Sequence, residues 1–423
     1  MGVTTSNFDL EKIRGDFPIL QRITNSGAPL AFLDNAASSQ RPNSVIDSVN
    51  DCYQRYYANV HRGIHTLSEE STERYEQSRK TIAKFINAAS SNEVIFAAGT
   101  TAAINTVART WGDVHVGQDD VILLTIAEHH ANIVPWQQLA ERTGCRIEFL
   151  PLGDDFDIDD DIVRDRLEQL RPKLFAFTAA SNTLGTEFPV ARWVKMAREV
   201  GAHVLIDAAQ AAPHRAIDVQ AWDADFLVFS GHKMCGPSGI GILYGKESLL
   251  EAMPPFLGGG AMIHRVTVSG FESAGLPEKF EAGTPPIAQA IGLEAAVLYL
   301  QSIGMEAIAE HEHTLGKLAD SALRQIDRVQ VIGPQPEKKG GIVSFHIQGV
   351  HSHDIAQFLD SQGVAVRAGH HCTMPLHHAL DLTATTRASF YLYNTTSEVD
   401  RLVEAVNDVL KKFAPTGRRR RRS

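Results

Sequence analysis

The chain has 423 residues and a formal net charge of −10 at pH 7. This length exceeds what one hydrophobic core usually serves, so we expect two domains. The acidic balance argues against nonspecific binding of nucleic acid by the folded part. No apolar run reaches the roughly 18 residues of a membrane span, and the N-terminus lacks the basic and apolar regions of a signal peptide. We therefore predict a cytoplasmic protein that binds neither nucleic acid nor membrane.

The cysteines are few for so long a chain, which argues against a disulfide scaffold. None of them has a metal-binding spacing such as C-x-x-C, and we predict no metal site. One of them could be a reactive thiol. The four are Cys52, Cys145, Cys235 and Cys372.

Short apolar runs alternate with amphipathic stretches through most of the chain. Helices are predicted over residues 132–142 and 190–200, each followed by a glycine stop, Gly144 and Gly201. This alternation predicts a mostly parallel sheet with helices on both faces. The predicted strands are residues 93–96, 121–124, 147–150, 174–177, 204–206, 226–229 and 240–243.

A long helix predicted over residues 287–303 leads away from this sheet, and beyond residue 340 the pattern changes to a smaller α+β unit. Its predicted order is strand 342–347, helix 352–361, strands 364–368 and 387–392, and helix 398–413. The expected domains are an N-terminal arm (1–25) associated with the small domain, a large domain (26–300), a small C-terminal domain (301–414) and a basic tail (415–423). The tail carries five consecutive arginines and no apolar residue, so we expect disorder. It could be an interaction arm or a remnant of an expression vector.

Lys233 and Asp207 each follow a predicted buried strand. The carboxyl ends of parallel strands line one ligand crevice, so the two side chains can face the same small molecule. Pyridoxal 5′-phosphate requires this pair, because its aldehyde condenses with a lysine and a carboxylate keeps its ring nitrogen protonated. Either residue alone has an ordinary explanation, a surface lysine or a turn-forming aspartate.

A phosphate group could be held where the first large-domain strand ends. Gly99, Thr100 and Thr101 precede a predicted helix over residues 102–109, so backbone N–H groups and the Thr101 hydroxyl meet at its positive end. Ser230 and His232 could add donors from beside the lysine. Taken alone, the Thr-Thr pair is also typical of a helix N-cap.

Five segments of the chain, which include Lys233 and Asp207, resemble the motifs of group II cysteine desulfurases, most closely the SufS type. The related selenocysteine lyases share most of this pattern. The resemblance spans about residues 32–409. It implies the α/β fold of type I pyridoxal-phosphate-dependent transferases, as in aspartate aminotransferase, with a large, mostly parallel domain and a smaller α+β domain. The segments are residues 128–132, 181–186, 207–210, 230–233 and 367–372.

The same resemblance implies further roles. His129 would stack on the cofactor ring and move protons with a near-neutral pKa. Asn182 and Gln210 would bond the phenolic oxygen and orient the substrate, and Arg387 would bind the substrate carboxylate as a bidentate pair. Thr284 would reach the phosphate from a neighbouring subunit, which implies a homodimer. Each residue also has an ordinary explanation. His129 could be a loop histidine bonded to the backbone. Asn182 and Gln210 could be turn-forming amides, and Arg387 could form a surface salt bridge.

Cys372 indicates which of the reactions known for this fold the chain catalyses. It follows a predicted strand and lies in a loop beside two histidines, where a nearby cation could favour the thiolate. The resemblance implies conversion of L-cysteine to L-alanine with a persulfide on Cys372, and transfer of sulfur to an acceptor of the SufE or SufU type for iron–sulfur cluster assembly.

The same residues are also compatible with other functions. L-selenocysteine could be the substrate. An aminotransferase or kynureninase-like enzyme of this fold would not need Cys372, and a sulfur carrier or scaffold would need no catalysis. The chain departs from the family pattern at Ala98 and Ala102, which replace charged residues, and at Cys235, where an aromatic residue is frequent.

Overall fold

The computed structural model describes residues 8–413, so the predicted basic tail lies outside the described residues. The α-helices are α1 Leu10–Gly15, α2 Asn43–Asp51, α3 Thr66–Phe85, α4 Thr100–Val107, α5 Asp113–His115, α6 Val134–Thr143, α7 Asp160–Leu170, α8 Val190–Glu199, α9 Val219–Trp222, α10 Glu247–Ala252, α11 Ile287–Ile303, α12 Met305–Arg324, α13 Ser352–Ser361, α14 Met374–Ala379 and α15 Thr396–Lys412. The strands are β1 Ala31–Phe32, β2 Val94–Ala97, β3 Val121–Thr125, β4 Arg146–Leu150, β5 Leu174–Thr178, β6 His203–Asp207, β7 Phe226–Ser230, β8 Gly241–Gly245, β9 Ile263–Thr267, β10 Gly270–Ser273, β11 Val329–Ile332, β12 Ile342–Ile347, β13 Val364–Ala365, β14 Arg367–Gly369 and β15 Thr385–Ser389.

The large unit is built on a seven-stranded sheet in the order β2-β8-β7-β6-β5-β3-β4. The pairs from β4 to β7 are parallel, and β8 runs antiparallel to both of its neighbours. All seven predicted strands are present, with ends that move by at most two residues. The mostly parallel sheet predicted from the sequence is confirmed.

Both faces of this sheet are covered, which explains why its strands are continuous apolar runs. Successive side chains on a strand point to opposite faces. In β5, Phe175 and Phe177 join one buried cluster together with Trp193 of α8, whereas Leu174 and Ala176 join the other. A two-sided core therefore fixes the register of the strands whose ends carry the site.

The smaller unit has a four-stranded antiparallel sheet, β11-β12-β15-β14. Its buried cluster includes residues of α12, α13 and α15. The prediction of a single strand over residues 364–368 is wrong, because this stretch forms two short strands that pair with different neighbours. β13 pairs in parallel with β1, while β14 pairs with β15. Strand β11 and the hairpin β9–β10 were not predicted.

The N-terminal segment contributes to both units. Ile13 and Phe17 belong to a large-unit cluster, whereas Ala31 and Leu33 are buried in the cluster of the smaller unit. The expected boundary after residue 300 falls inside α11, which continues to Ile303 before a 77° bend into α12. The two units thus share one continuous helical connection.

No single helix among residues 8–413 is long and apolar enough to cross a membrane. Helices α11 and α12 meet the length and composition test only as a bent pair. Much of α11 is buried inside the protein, including Ile291, Leu293 and Leu300.

A glycine at position 241 lets β8 approach the turn that begins α4. A Cβ built on Gly241 would lie 2.5 Å from the Gly99 Cα and 2.6 Å from the Phe229 carbonyl oxygen, both backbone atoms. We expect Gly241→Ala to lower the free energy of unfolding by about 1–3 kcal/mol, the usual cost of overpacking a core, and to weaken cofactor binding. Denaturant titration and a cofactor titration measure the two effects.

Gly15→Ala is the matched control, because nothing lies within 4 Å of a Cβ at that position. Equal unfolding free energies and cofactor affinities for the two alanine variants would contradict the close approach.

Candidate active site

A cavity of about 500 Å³ lies where the carboxyl ends of β5, β6 and β7 meet the loop between β14 and α14. Strands from the large unit and a loop from the small unit therefore form its walls together. It brings together every predicted site residue except Thr284. These are Thr101, His129, Asn182, Asp207, Gln210, Ser230, His232, Lys233, Cys372 and Arg387.

Lys233 and Asp207 line this cavity together, and each follows or ends one of two neighbouring strands. Asp207 is the last residue of β6, and Lys233 ends the short 3-10 turn that follows β7. Burial lowers the pKa of Lys233, and the charge of Asp207 opposes that effect. Burial likewise raises the pKa of Asp207 against the field of Lys233. A lysine amine with a lowered pKa is a better nucleophile near neutral pH.

The turn before α4 is shaped to receive an anion. Gly99 has φ 144°, a backbone conformation that favours glycine. Ser230 Oγ accepts the Thr100 N–H at 2.9 Å and lies 2.8 Å from the Thr100 hydroxyl. The next N–H groups, in the first turn of α4, have no helical acceptor. Together with the exposed Thr101 hydroxyl they can bind a phosphate at the positive helix end.

His129 lies on the cavity wall with its tautomer fixed. Its Nδ1 accepts the Ala131 N–H at 3.0 Å, which leaves the proton on Nε2. Burial, followed by the charge of Lys233, lowers the pKa of His129 to about 3. The prediction of a near-neutral pKa is therefore wrong for the buried residue. A neutral ring suits stacking against an aromatic ligand.

The two predicted amides are already bonded within the protein. Asn182 Nδ2 donates to the His371 carbonyl at 2.7 Å, and Gln210 Nε2 donates to the Ala36 carbonyl at 2.7 Å. Gln210 Oε1 is buried without a hydrogen-bond partner. A ligand group facing Gln210 therefore has to be a donor, and Asn182 is tied to the loop that carries Cys372.

Arg387 is buried at the base of the cavity, with 2% of its surface exposed. Its Nη1 donates to the Asn182 carbonyl at 2.8 Å, and Nη2 lies 3.4 Å from Asp34 Oδ1. Its Nε has no partner. Burial lowers the pKa of Arg387 to about 10, so the guanidinium stays charged at neutral pH. Arg387 therefore lines the cavity as a charged group whose Nε is buried and left unpaired.

Asp34 contacts two arginines, Arg387 and Arg367. Arg367 donates to both carboxylate oxygens of Asp34, with Nε–Oδ1 at 3.0 Å and Nη2–Oδ2 at 2.8 Å. Asp34 was not predicted from the sequence, where it precedes an unremarkable Asn-Ala-Ala run. Its role depends on β1 pairing with β13, which no local pattern indicates.

We expect Arg387→Lys to raise the KM for an amino-acid substrate roughly 10- to 100-fold, because a lysine makes no planar bidentate pair and one charge-assisted bond is worth about 1.5–3 kcal/mol. The effect on kcat should be smaller. Steady-state kinetics separate the two constants. The exposed Arg192, which pairs with Asp160 on the surface, supplies the control Arg192→Lys. A KM unchanged in Arg387→Lys would contradict the assignment.

Cys372 lies in the short loop between β14 and α14, residues 370–373. His371 and Cys372 have φ of 50° and 59°. Cys372 is exposed, whereas Cys52, Cys145 and Cys235 are buried. Three cationic side chains line the same cavity as the Cys372 thiol, namely Lys233, Arg367 and Arg387.

Two other predicted features lie apart from this cavity. Thr284 is exposed on the wall of a neighbouring groove of about 990 Å³ that also reaches Thr101, and Ala98 and Ala102 line that groove. Cys235 is buried outside the cavity, and burial raises its thiol pKa to about 12. Its position outside the cavity separates Cys235 from the thiol of Cys372.

Glu128 and His130, on either side of His129, also escaped the sequence prediction. Glu128 is fully buried, accepts the Thr178 N–H at 3.0 Å and the Asn132 amide at 2.7 Å, and burial raises its pKa to about 8. In this run only His129 was predicted to be a site residue. Among residues 8–413 no cluster of His, Cys, Asp and Glu is arranged to hold a metal ion.

The fold and the paired Lys233 and Asp207 define an enzyme of the type I pyridoxal-phosphate-dependent transferases. Residues 31–402 match the model of the family described as aminotransferase class-V. The chain belongs to this family.

Relatives and solved structures agree with this family. The chain is 49% identical over 414 residues to a probable cysteine desulfurase of Streptomyces coelicolor, covering 96% of this chain and 98% of the relative. The apo structure of a cysteine desulfurase from Thermococcus onnurineus superposes with a TM-score of 0.90 at 37% identity, covering 97% and 100% of the two chains. The cysteine desulfurase CsdA of Escherichia coli, in an S-sulfonic acid form, gives a TM-score of 0.88 at 38% identity, covering 96% and 99%.

Pyridoxal 5′-phosphate is the cofactor, and the residues present fit it. The cavity offers a lysine amine with a lowered pKa, a buried carboxylate, a helix start for the phosphate and an unpartnered buried Gln210 Oε1. Lys233 would hold its aldehyde carbon, Asp207 its ring nitrogen, and Thr101 its phosphate.

Proposed function

We propose that the protein is a cysteine desulfurase, which converts L-cysteine to L-alanine and keeps the released sulfur on Cys372 as a persulfide. The observation that carries the proposal is the exposed Cys372 on the wall of the cavity that also holds Lys233 and Arg387. A plain aminotransferase has no use for a thiol at this position.

The residues divide the reaction between them. When bound, pyridoxal 5′-phosphate supplies an aldehyde that links to amines and a ring that accepts electrons. Arg387, the buried guanidinium on the cavity wall, binds the substrate carboxylate. Lys233 would hold the cofactor before substrate binds, and its free amine would then take the proton from the substrate Cα as general base.

Cys372 then acts as the nucleophile. Its Sγ forms a bond to the substrate sulfur and the Cβ–S bond breaks with its electron pair left on the carbon side, so that Cβ and Cα each need one proton to give alanine. The proton that Lys233 took from Cα and the proton that the Cys372 thiol gives up when its Sγ attacks supply these two positions. His129, with a pKa of about 3, is neutral at pH 7 and stacks instead of serving as a charged acid.

We further propose that the enzyme is of the SufS type and supplies iron–sulfur cluster assembly through a separate acceptor protein. The loop that carries Cys372 spans only residues 370–373 between β14 and α14. So short a segment holds the thiol near the cavity, and an acceptor thiol must come to it. A cytoplasmic location stays a prediction.

We propose a homodimer as the working unit. Thr284 lies outside the cavity, on a groove beside Thr101 with exposed apolar side chains such as Phe256 and Leu257. A second copy that covers this groove could direct its own Thr284 toward the phosphate position. Light scattering at assay concentration tests the dimer, and a fully active monomer would contradict it.

The test of the reaction is a cysteine-dependent assay for alanine and sulfide, run with and without reductant. We expect slow turnover with weak reductants and acceleration by an added thiol acceptor protein. Alkylation of the exposed Cys372 should stop turnover, whereas an aminotransferase or kynureninase-like reaction would survive it. L-selenocysteine in the same assay decides the substrate preference.

A further inference from the structure

The loop that carries Cys372 is bonded to one residue of the large unit by two contacts. The backbone N–H of His130 donates to the Cys372 carbonyl at 2.8 Å. The ring of His130 accepts the Met374 N–H on its Nε2 at 3.0 Å. One contact is made at the nucleophile itself and the other just past the end of its loop. His130 therefore spans the segment that carries the thiol.

This segment requires external support. His371 and Cys372 both adopt positive φ, which is strained for side-chain-bearing residues and persists only where surroundings enforce it. Met374 is the first residue of α14, whose N–H has no acceptor within the helix. The His130 ring supplies that acceptor. Besides His130, the large unit bonds the loop backbone through Asn182, at the His371 carbonyl.

We propose that His130 is a positioning residue, which holds Cys372 at the distance from the substrate sulfur that persulfide formation needs. It touches neither cofactor nor substrate in this role and acts through the loop. The inference rests on the proposed function only in naming Cys372 as the nucleophile, since the bonds themselves exist without substrate.

The contact depends on the protonation state of His130. Because Nε2 accepts, the ring proton lies on Nδ1, and a second proton on Nε2 would remove the bond. Burial, followed by the charge of His370, lowers the pKa of His130, so the ring is neutral at pH 7.

Other titratable and charged side chains line the same cavity as His130. They are His129, Asp207, His232, Lys233, Arg367, His370, His371, Cys372 and Arg387. Helix α4 and strand β5, which pack against the 130–132 turn, contain no ionisable residue. Helix α6 has Glu141 and Arg142 near its far end. The bond should be present above the ordinary histidine pKa and be lost as the pH falls through the lowered one.

Three variants test the proposal: His130→Ala removes the acceptor, His130→Gln keeps an acceptor near the Nε2 position without a titrating ring, and His353→Ala alters an exposed histidine of α13 as the control. Hydrogen exchange of the holoenzyme, followed on the peptide that spans residues 370–376, needs no substrate. Exchange there should rise about 10-fold in His130→Ala, the loss of about 1.4 kcal/mol of protection.

Kinetics supply the second measurement. We expect kcat to fall about 10- to 100-fold in His130→Ala with KM within threefold, because Arg387 is untouched, and to recover most of the way in His130→Gln. Protection of the loop, corrected for the intrinsic pH dependence of exchange, should fall at acid pH in the unaltered protein but not in His130→Gln.

Normal exchange in folded His130→Ala, or a His130→Gln as defective as His130→Ala, would overturn the inference. Loss of loop protection in a protein that makes no alanine from cysteine would instead contradict the desulfurase function and leave the tether standing.

Discussion

Replacing Lys233 with alanine is expected to lower cysteine turnover by roughly 10³-fold or more, the scale seen when a residue that acts in several steps is removed. In the proposed reaction Lys233 would hold the cofactor covalently and then move the Cα proton, so no neighbouring group would replace both roles. Cofactor should still be retained, because the start of α4 and Ser230, which line the cavity apart from Lys233, would hold its phosphate. Activity and cofactor content measured on the same preparation separate the two effects.

The covalent bond expected between Lys233 and the cofactor allows a second test of the role of Lys233. Borohydride reduction of the unaltered enzyme should fix the cofactor to the peptide that contains Lys233. Lys338→Ala is the matched control, because Lys338 is exposed and pairs only with Asp155 and Asp157 at the surface. A label on any other lysine would show that the assignment is wrong.

The sequence predicted the sheet well because each strand is buried on both faces. A mainly apolar run such as Leu174–Thr178 fits a strand that is covered by helices on both faces. The polar residues that follow such runs lie at the carboxyl ends of the strands, where ligands bind. Lys233 and Asp207 could be placed by this rule alone, whereas the role of Asn182 was implied only by the resemblance to the family. The hairpin β9–β10 escaped prediction because its side chains are mostly exposed and carry no apolar alternation.

The contacts between distant segments could not be predicted in the same way. Asp34 reaches Arg387 across 353 residues of sequence, and His130 reaches Met374 across 244. Such pairs depend on how the small unit packs against the large one. The pKa of His129 was missed for a related reason, since desolvation is a property of the assembled cavity.

Cys372→Ser is expected to bind cysteine normally while persulfide formation falls by roughly 10³-fold, because a serine hydroxyl is a weak nucleophile without an activating base. Substrate binding should persist, since Arg387 and Lys233 are unchanged. Persulfide is measured by mass spectrometry and alanine by a coupled assay, with binding followed by cofactor absorbance. Cys145→Ala is the control, because Cys145 is buried outside the cavity. Undiminished alanine production by Cys372→Ser would exclude Cys372 as the nucleophile and return the choice to an aminotransferase or kynureninase-like reaction.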